Sequence, residues 1–171
     1  MKKLLIAILL VAAAGCLFAE SGSGFAVGAG ATGLDFLVNP LEVYGFGAVV
    51  SVDIPGVPLR FGLSAFDFIG MPLFALSVDY LLVERRGAGV FGWYAGVGEL
   101  VQMLIDSGEV VSWLGVRVPL GIRAWPTKNG RLEMFFELAP AWMPFVFESD
   151  GFSFVWQYFW AQPSLGMRYW F

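Results

Sequence analysis

The stretch Trp113-Leu114-Gly115-Val116-Arg117-Val118-Pro119-Leu120-Gly121-Ile122-Arg123-Ala124-Trp125 decides how the rest of the chain is read. Leu114, Val116, Val118, Leu120, Ile122 and Ala124 fall on one side of a period of two. Trp113, Gly115, Arg117, Pro119, Gly121, Arg123 and Trp125 fall on the other. Successive side chains alternate across a pleated strand, so this period predicts a strand with one apolar face. The second face mixes glycine with arginine. Pro126-Thr127-Lys128-Asn129-Gly130 follows and reads as a turn of the Asn-Gly kind.

The same alternation recurs on both sides of this segment. With it there are eight, over residues 24–31, 44–53, 59–66, 74–83, 91–98, 113–125, 131–142 and 159–171. Each has one large apolar face and one face of glycine, serine or a charged group. Gly, Pro, Asn and Asp clusters separate them.

Composition narrows the class. Hydrophobic residues make up 58% and charged residues 14% of the 171, with a mean hydropathy of +0.72. Disorder needs the opposite balance, and soluble domains carry about 25% charged residues. A spanning helix needs about 20 consecutive apolar residues. Beyond the N-terminus the longest uncharged run is 151–167, and it contains Gly151, Gln157, Gln162, Pro163 and Gly166. The run 21–34 holds five glycines. Neither makes a spanning helix. A soluble sandwich would carry a lysine-rich polar face, yet Lys128 is the single lysine after residue 19. High apolarity spread over alternate residues fits a transmembrane β-barrel. The expectation is all-β: an eight-stranded antiparallel up-and-down barrel over residues 20–171.

Residues 1–19 read as a secretory signal peptide. Lys2 and Lys3 form the basic start, Leu4 to Ala14 the apolar centre, and Leu17-Phe18-Ala19 the cleavage site. Removal leaves 152 residues with 8 basic and 14 acidic groups. The only cysteine, Cys16, goes with the signal, so no disulfide or cysteine metal site is expected. Ala13-Ala14-Gly15-Cys16 also allows a second reading, a relaxed lipobox with Cys16 acylated.

The chain ends at Phe171, with Tyr169, Met167 and Leu165 at every second position before it. This ending resembles that of bacterial outer-membrane barrels. With eight strands, the chain is similar to the small barrels of the outer-membrane protein A transmembrane domain, X and W types. The resemblance implies a monomer among outer-membrane lipids. It also implies that Leu165, Met167, Tyr169 and Phe171 are read by the barrel-assembly machinery.

With a periplasmic N-terminus, the surface loops would be 34–42, 67–73, 100–109 and 143–153. All are short, which disfavours an adhesin or host-factor binder. They carry Asp35, Glu42, Asp67, Asp106, Glu109, Glu148 and Asp150 and no basic residue. Such a rim is a candidate for divalent cations bridging surface lipids, although no fixed ligand spacing marks a metal site. It opposes binding to nucleic acid.

Arg60, Arg117, Arg123 and Arg168 fall on the lumen face with Asp79, Glu133 and Glu137. Buried charges must be paired, so these seven predict an internal salt-bridge network. Eight strands leave an interior that side chains can fill. There is no histidine, so the usual base for a serine or cysteine nucleophile is missing. Glu133 and Glu137 share a face and could do acid–base work, but four arginines favour ion pairing. Gly28-Ala29-Gly30-Ala31-Thr32-Gly33 matches a dinucleotide-binding glycine pattern without the helix that pattern requires. No enzyme activity and no cofactor are expected.

The leading reading is a structural or surface-exposed barrel with a side-chain-plugged lumen. The alternative is a narrow channel or a lateral conduit for small apolar molecules. Pro140 and Pro163 bear on that alternative. Neither can donate to a ladder, so each is expected to break pairing locally or to sit at a bulge, and marks a candidate lateral seam.

Overall fold

The computed structural model describes residues 25–36 and 45–171, apart from 55, 69, 88 and 107. Residues 1–19, the expected signal with Cys16, lie outside the described residues. So do residues 37–44, and with them Glu42.

Ten strand segments cover most of the described chain: β1 (Ala26–Phe36), β2 (Gly45–Asp53), β3 (Leu59–Phe68), β4 (Met71–Arg86), β5 (Phe91–Asp106), β6 (Glu109–Arg117), β7 (Leu120–Ala124), β8 (Leu132–Glu148), β9 (Gly151–Phe154) and β10 (Phe159–Trp170). They make eight antiparallel staves. Segments β6 and β7 are one stave interrupted at Val118-Pro119, and both pair with β5 and β8. Likewise β9 and β10 are one stave, and both pair with β8. Pairing of β10 with β1 closes the ring. The fold is the all-β, eight-stranded up-and-down barrel that the alternation predicts.

One hydrogen-bonding rung gives the barrel's stagger. It runs Ala26, Asp53, Arg60, Asp79, Gly98, Arg117, Ala141, Trp160 and returns to β1 at Phe36, ten residues above its start. From strand rise and spacing, that stagger over eight staves tilts the strands by about 40°. The same rung places Asp53, Arg60 and Asp79 on three neighbouring staves facing the lumen, with Arg117 one stave further on, beyond Gly98.

Alternation sorts the wall into two faces. Leu63, Leu76, Leu82, Ile122, Phe136 and Leu165 are exposed on the outside. Ser51, Ser64, Ser77 and the lumen charges are buried within. Glycine makes room for the larger inner groups. A Cβ on Gly98 would meet Asp79 Oδ1, and one on Gly121 would meet the Tyr94 ring.

The interior has two storeys, which the alternation alone does not reveal. Toward the termini it is ionic. Toward the other end it is apolar, with Phe66, Leu73, Ala75, Leu100, Ala141, Met143 and Trp160 packed together. Strands also run through most of the stretches expected as loops. Segment β3 turns into β4 within two residues, and β8 with β9 forms a hairpin through residues 143–153. The β-branched and aromatic content of these ends suits paired strands as well as their centres.

No bulge sits at Pro140 or Pro163; of the two expectations it is the local break in pairing that is found. Between β8 and β10 the register runs without a shift from Phe159↔Trp142 to Tyr169↔Leu132, through Ala161↔Pro140 and Pro163↔Leu138. The bulges lie at Leu82, and at Met143-Pro144 opposite Gly115. A proline loses one ladder bond, but it does not insert a residue. Each of the two turns its missing N–H toward its other neighbour. The Pro140 carbonyl accepts the Val118 N–H at 2.9 Å, where β6 gives way to β7. The Pro163 carbonyl accepts from Thr32 Oγ1 on β1 at 3.2 Å. There the β1–β10 ladder skips from Thr32↔Ser164 to Asp35↔Ala161.

Candidate functional site: the lumen charge network

All seven sequence-derived lumen charges are buried, and the structure adds Asp53 to them. Four arginines therefore face four carboxylates. Asp53 is held by Arg60, whose Nε and Nη2 donate to its two oxygens at 2.7 and 2.9 Å.

Glu137 is the hub. Its Oε2 accepts from Arg60 Nη1 at 3.0 Å and from the Tyr94 hydroxyl at 2.7 Å. Its Oε1 accepts from Arg117 Nη2 at 2.5 Å. Arg117 then spreads in two further directions. Its Nη1 donates to Gln162 Oε1 at 2.8 Å. Its Nε lies 3.0 Å from Asp79 Oδ1, within ion-pair range but outside hydrogen-bond geometry. Gln162 passes the contact on to Ser64 at 3.2 Å.

A second cluster centres on Glu133. Arg168 Nη1 donates to it at 2.6 Å and Trp170 Nε1 at 3.0 Å. Arg168 also donates to Ser51 at 3.0 Å and lies over the Phe135 ring, 3.8 Å from its centroid. Arg123 stands between the clusters and the rim, 2.9 Å from Glu84 and 3.7 Å from Glu133. Tyr94 takes Arg60 on its ring at 4.3 Å and Arg123 at 5.2 Å. Tyr94 carries no mark in the sequence beyond its parity, and Glu84 turns inward only because the bulge at Leu82 shifts the phase of β4. Four residues of strand separate Glu133 from Glu137 by about 13 Å, and each has its own arginines.

The network nearly fills the ionic storey. A gap of about 20 Å³ is left at its centre, bordered by Arg60, Asp79, Arg117, Glu137, Gln162 and Arg168. That is room for about one water. At the termini end a hollow of about 530 Å³ opens between Ile54, Leu59, Leu81 and Trp170 and stops at Asp53.

The other named residues lie on the wall. Leu165, Met167, Tyr169 and Phe171 all face outward and are exposed. The Phe171 N–H donates to the Phe25 carbonyl at 3.0 Å, and the two rings stack at 5.1 Å. Of the acidic rim, Asp67, Glu109, Glu148 and Asp150 are exposed. Among the described residues no group of three or more potential ligands converges on a metal position.

No family model and no curated protein matches the chain. Solved structures do. Neisserial surface protein A matches with a TM-score of 0.66 at 14% identity, over 86% of this chain and 97% of that one. The N-terminal β-barrel domain of Pseudomonas aeruginosa OprF matches with a TM-score of 0.51 at 14% identity, over 85% and 97%. An apolar exposed wall, a charged interior and these neighbours lead to one conclusion: the chain folds as a small eight-stranded outer-membrane β-barrel.

Proposed function

We propose that the protein is a structural, surface-exposed barrel whose lumen is closed by its own side chains and carries out no catalysis. One observation carries this reading. The ion network leaves a gap of about 20 Å³, and the apolar storey seals the lumen beyond it. An ion crossing would have to displace paired charges and then enter an apolar layer, at a cost of several kcal/mol for each desolvated charge. Planar-bilayer recording tests the proposal. The purified barrel should give no discrete conductance steps, and reproducible steps from the folded protein would overturn it.

A second reading keeps the lumen closed but lets small apolar molecules leave through the wall. The missing ladder bonds beside Pro140 and Pro163 favour it. The double replacement by valine should restore two backbone hydrogen bonds. At roughly 0.5–1.5 kcal/mol each, the variant should unfold at higher temperature. Liposome uptake of an apolar dye should fall to background in the same variant. A stabilised variant with undiminished uptake would remove the lateral route and leave two tolerated prolines.

A further inference from the structure

Among the described residues, one charge stands on the outer wall where hydrocarbon should be. Glu99 lies on β5 with Val97 and Val101 on either side in the outward phase. Its cross-strand partners are Val78 and Val116. It is exposed, and among the described residues it makes no ion pair or hydrogen bond. A strand ended at Gly98, as the alternation suggests, leaves Glu99 between that strand and the loop that begins at residue 100. The structure carries β5 on to Asp106 and so puts Glu99 inside the wall.

The register gives its depth. At a tilt of about 40°, each residue climbs about 2.5 Å and each step along the rung about 3 Å. Glu99 then stands about 15 Å above the level of Ala26. Trp93, Tyr169 and Phe171 lie within about 6 Å of that lower level, and Phe74, Trp142 and Phe159 lie about 20–25 Å above it. These aromatic sets mark the two edges of an apolar band about 25 Å tall. Glu99 is well inside it.

Beside Glu99 the Met143-Pro144 bulge opens a groove in the outer face. Its volume is about 210 Å³, and its lining is Leu114, Gly115, Val116, Trp142, Pro144 and Phe145, with Glu99 at the lower lip. Ionisable groups within a membrane normally face a partner, and this one has none among the described residues. A second copy offers none either. The arginines Arg60, Arg117, Arg123 and Arg168 are buried inside, and Arg85, Lys128 and Arg131 lie at the termini end. No described cation of this protein reaches the outer wall at Glu99's depth.

We propose that this groove binds a lipid-soluble amine, with its ammonium on the Glu99 carboxylate and its apolar body over Leu114, Val116, Trp142 and Phe145. Opposite charge selects the ammonium: at this depth an ion pair is far stronger than in water, and it neutralises a carboxylate that otherwise faces hydrocarbon. An uncharged alcohol of the same length offers only a hydrogen bond, and an alkyl sulfate is repelled.

Decylammonium, decanol and decyl sulfate are the probes, each titrated into the barrel in zwitterionic lipid nanodiscs. The methyl NMR signals of Leu114 and Val116 give the readout. Decylammonium should shift them saturably, and Glu99→Gln should weaken that response at least tenfold. Decanol should act weakly and equally on both proteins, because it reports the groove without the charge. Equal decylammonium responses in the two proteins would overturn the proposal, as would decanol matching decylammonium. Cys16 is the chain's only native cysteine, so a Glu99→Cys variant also tests self-association. Rapid disulfide dimerisation in the nanodisc would show that a second copy covers this face and would overturn the amine site, whereas a persistent monomer supports it.

Discussion

Replacing Glu137 by alanine should lower the stability of the folded barrel by about 3–5 kcal/mol, the range for breaking one side of a buried ion pair. The size follows from what stays behind. Glu137 receives hydrogen bonds from Arg60, Arg117 and Tyr94. Removing it leaves two buried guanidinium groups short of one carboxylate and a buried phenol without its acceptor. Arg60 keeps Asp53, and Arg117 keeps Asp79 only at a poorer angle. Urea unfolding in micelles, followed by tryptophan fluorescence, measures the loss. Glu109→Ala, an exposed carboxylate on β6 outside the ion network, should stay within about 0.5 kcal/mol of the parent. Similar small losses in both variants would show that the lumen network is not what holds the interior.

Glu137→Gln sharpens the same test. The amide keeps the shape and one acceptor but removes the charge. If charge pairing dominates, glutamine should cost nearly as much as alanine. If packing dominates, it should cost much less. A buried ion pair is not in itself strong evidence for stability, because desolvation offsets much of its attraction. The alternative interior is visible one storey away, where Phe66, Leu100, Met143 and Trp160 fill the same barrel with apolar groups. The two storeys therefore allow a comparison within one molecule of ionic and apolar ways to close a lumen.

The period of two carried most of this architecture in plain view. Arg117 and Arg123 share a parity with Gly115 and Gly121, and that parity alone placed them inside. The same rule puts Arg60, Asp79, Glu133, Glu137 and Arg168 on the inner face, and all five are buried in the structure. It could not say which carboxylate meets which arginine, because partners depend on the stagger between staves. Asp53 and Arg60 are neighbours across a turn and so could be matched by eye. Arg60 and Glu137 lie 77 positions apart and meet only because the ring closes with its ten-residue offset. Parity also misjudged where strands stop. The outward phase of β5 passes through Glu99, which the one-dimensional pattern leaves just outside the strand. Prolines left a similar choice open: in the sequence Pro140 and Pro163 signal a break in pairing or a bulge, and the bulge on that strand sits at Met143-Pro144, where Gly115 lets two residues oppose one.

Deleting Phe171 should reduce correctly inserted protein in cells far more than it reduces stability in detergent. On the stability side the residue contributes a stacked contact with Phe25, an edge contact with Tyr169 and one backbone hydrogen bond to the Phe25 carbonyl. Its side chain is still 36% exposed. Full burial of a phenylalanine is worth about 1.5–3 kcal/mol, so the partial burial here and one hydrogen bond together predict a loss of about 1–2 kcal/mol. A barrel that loses only this much remains folded once refolded in micelles. In cells the proposed reading of Leu165, Met167, Tyr169 and Phe171 by the barrel-assembly machinery adds a separate requirement. The four side chains form one exposed outward stripe on the last strand, which a partner can read before the ring closes. After closure the backbone of that strand is occupied by β1 and β8. Heat-modifiable migration on gels measures the inserted fraction in membranes, and urea titration measures the refolded protein. Phe171→Tyr keeps an aromatic ring and its stacking, so it should restore most insertion. Insertion that falls only in proportion to the detergent stability would show that Phe171 acts as a packing residue and carries no assembly signal.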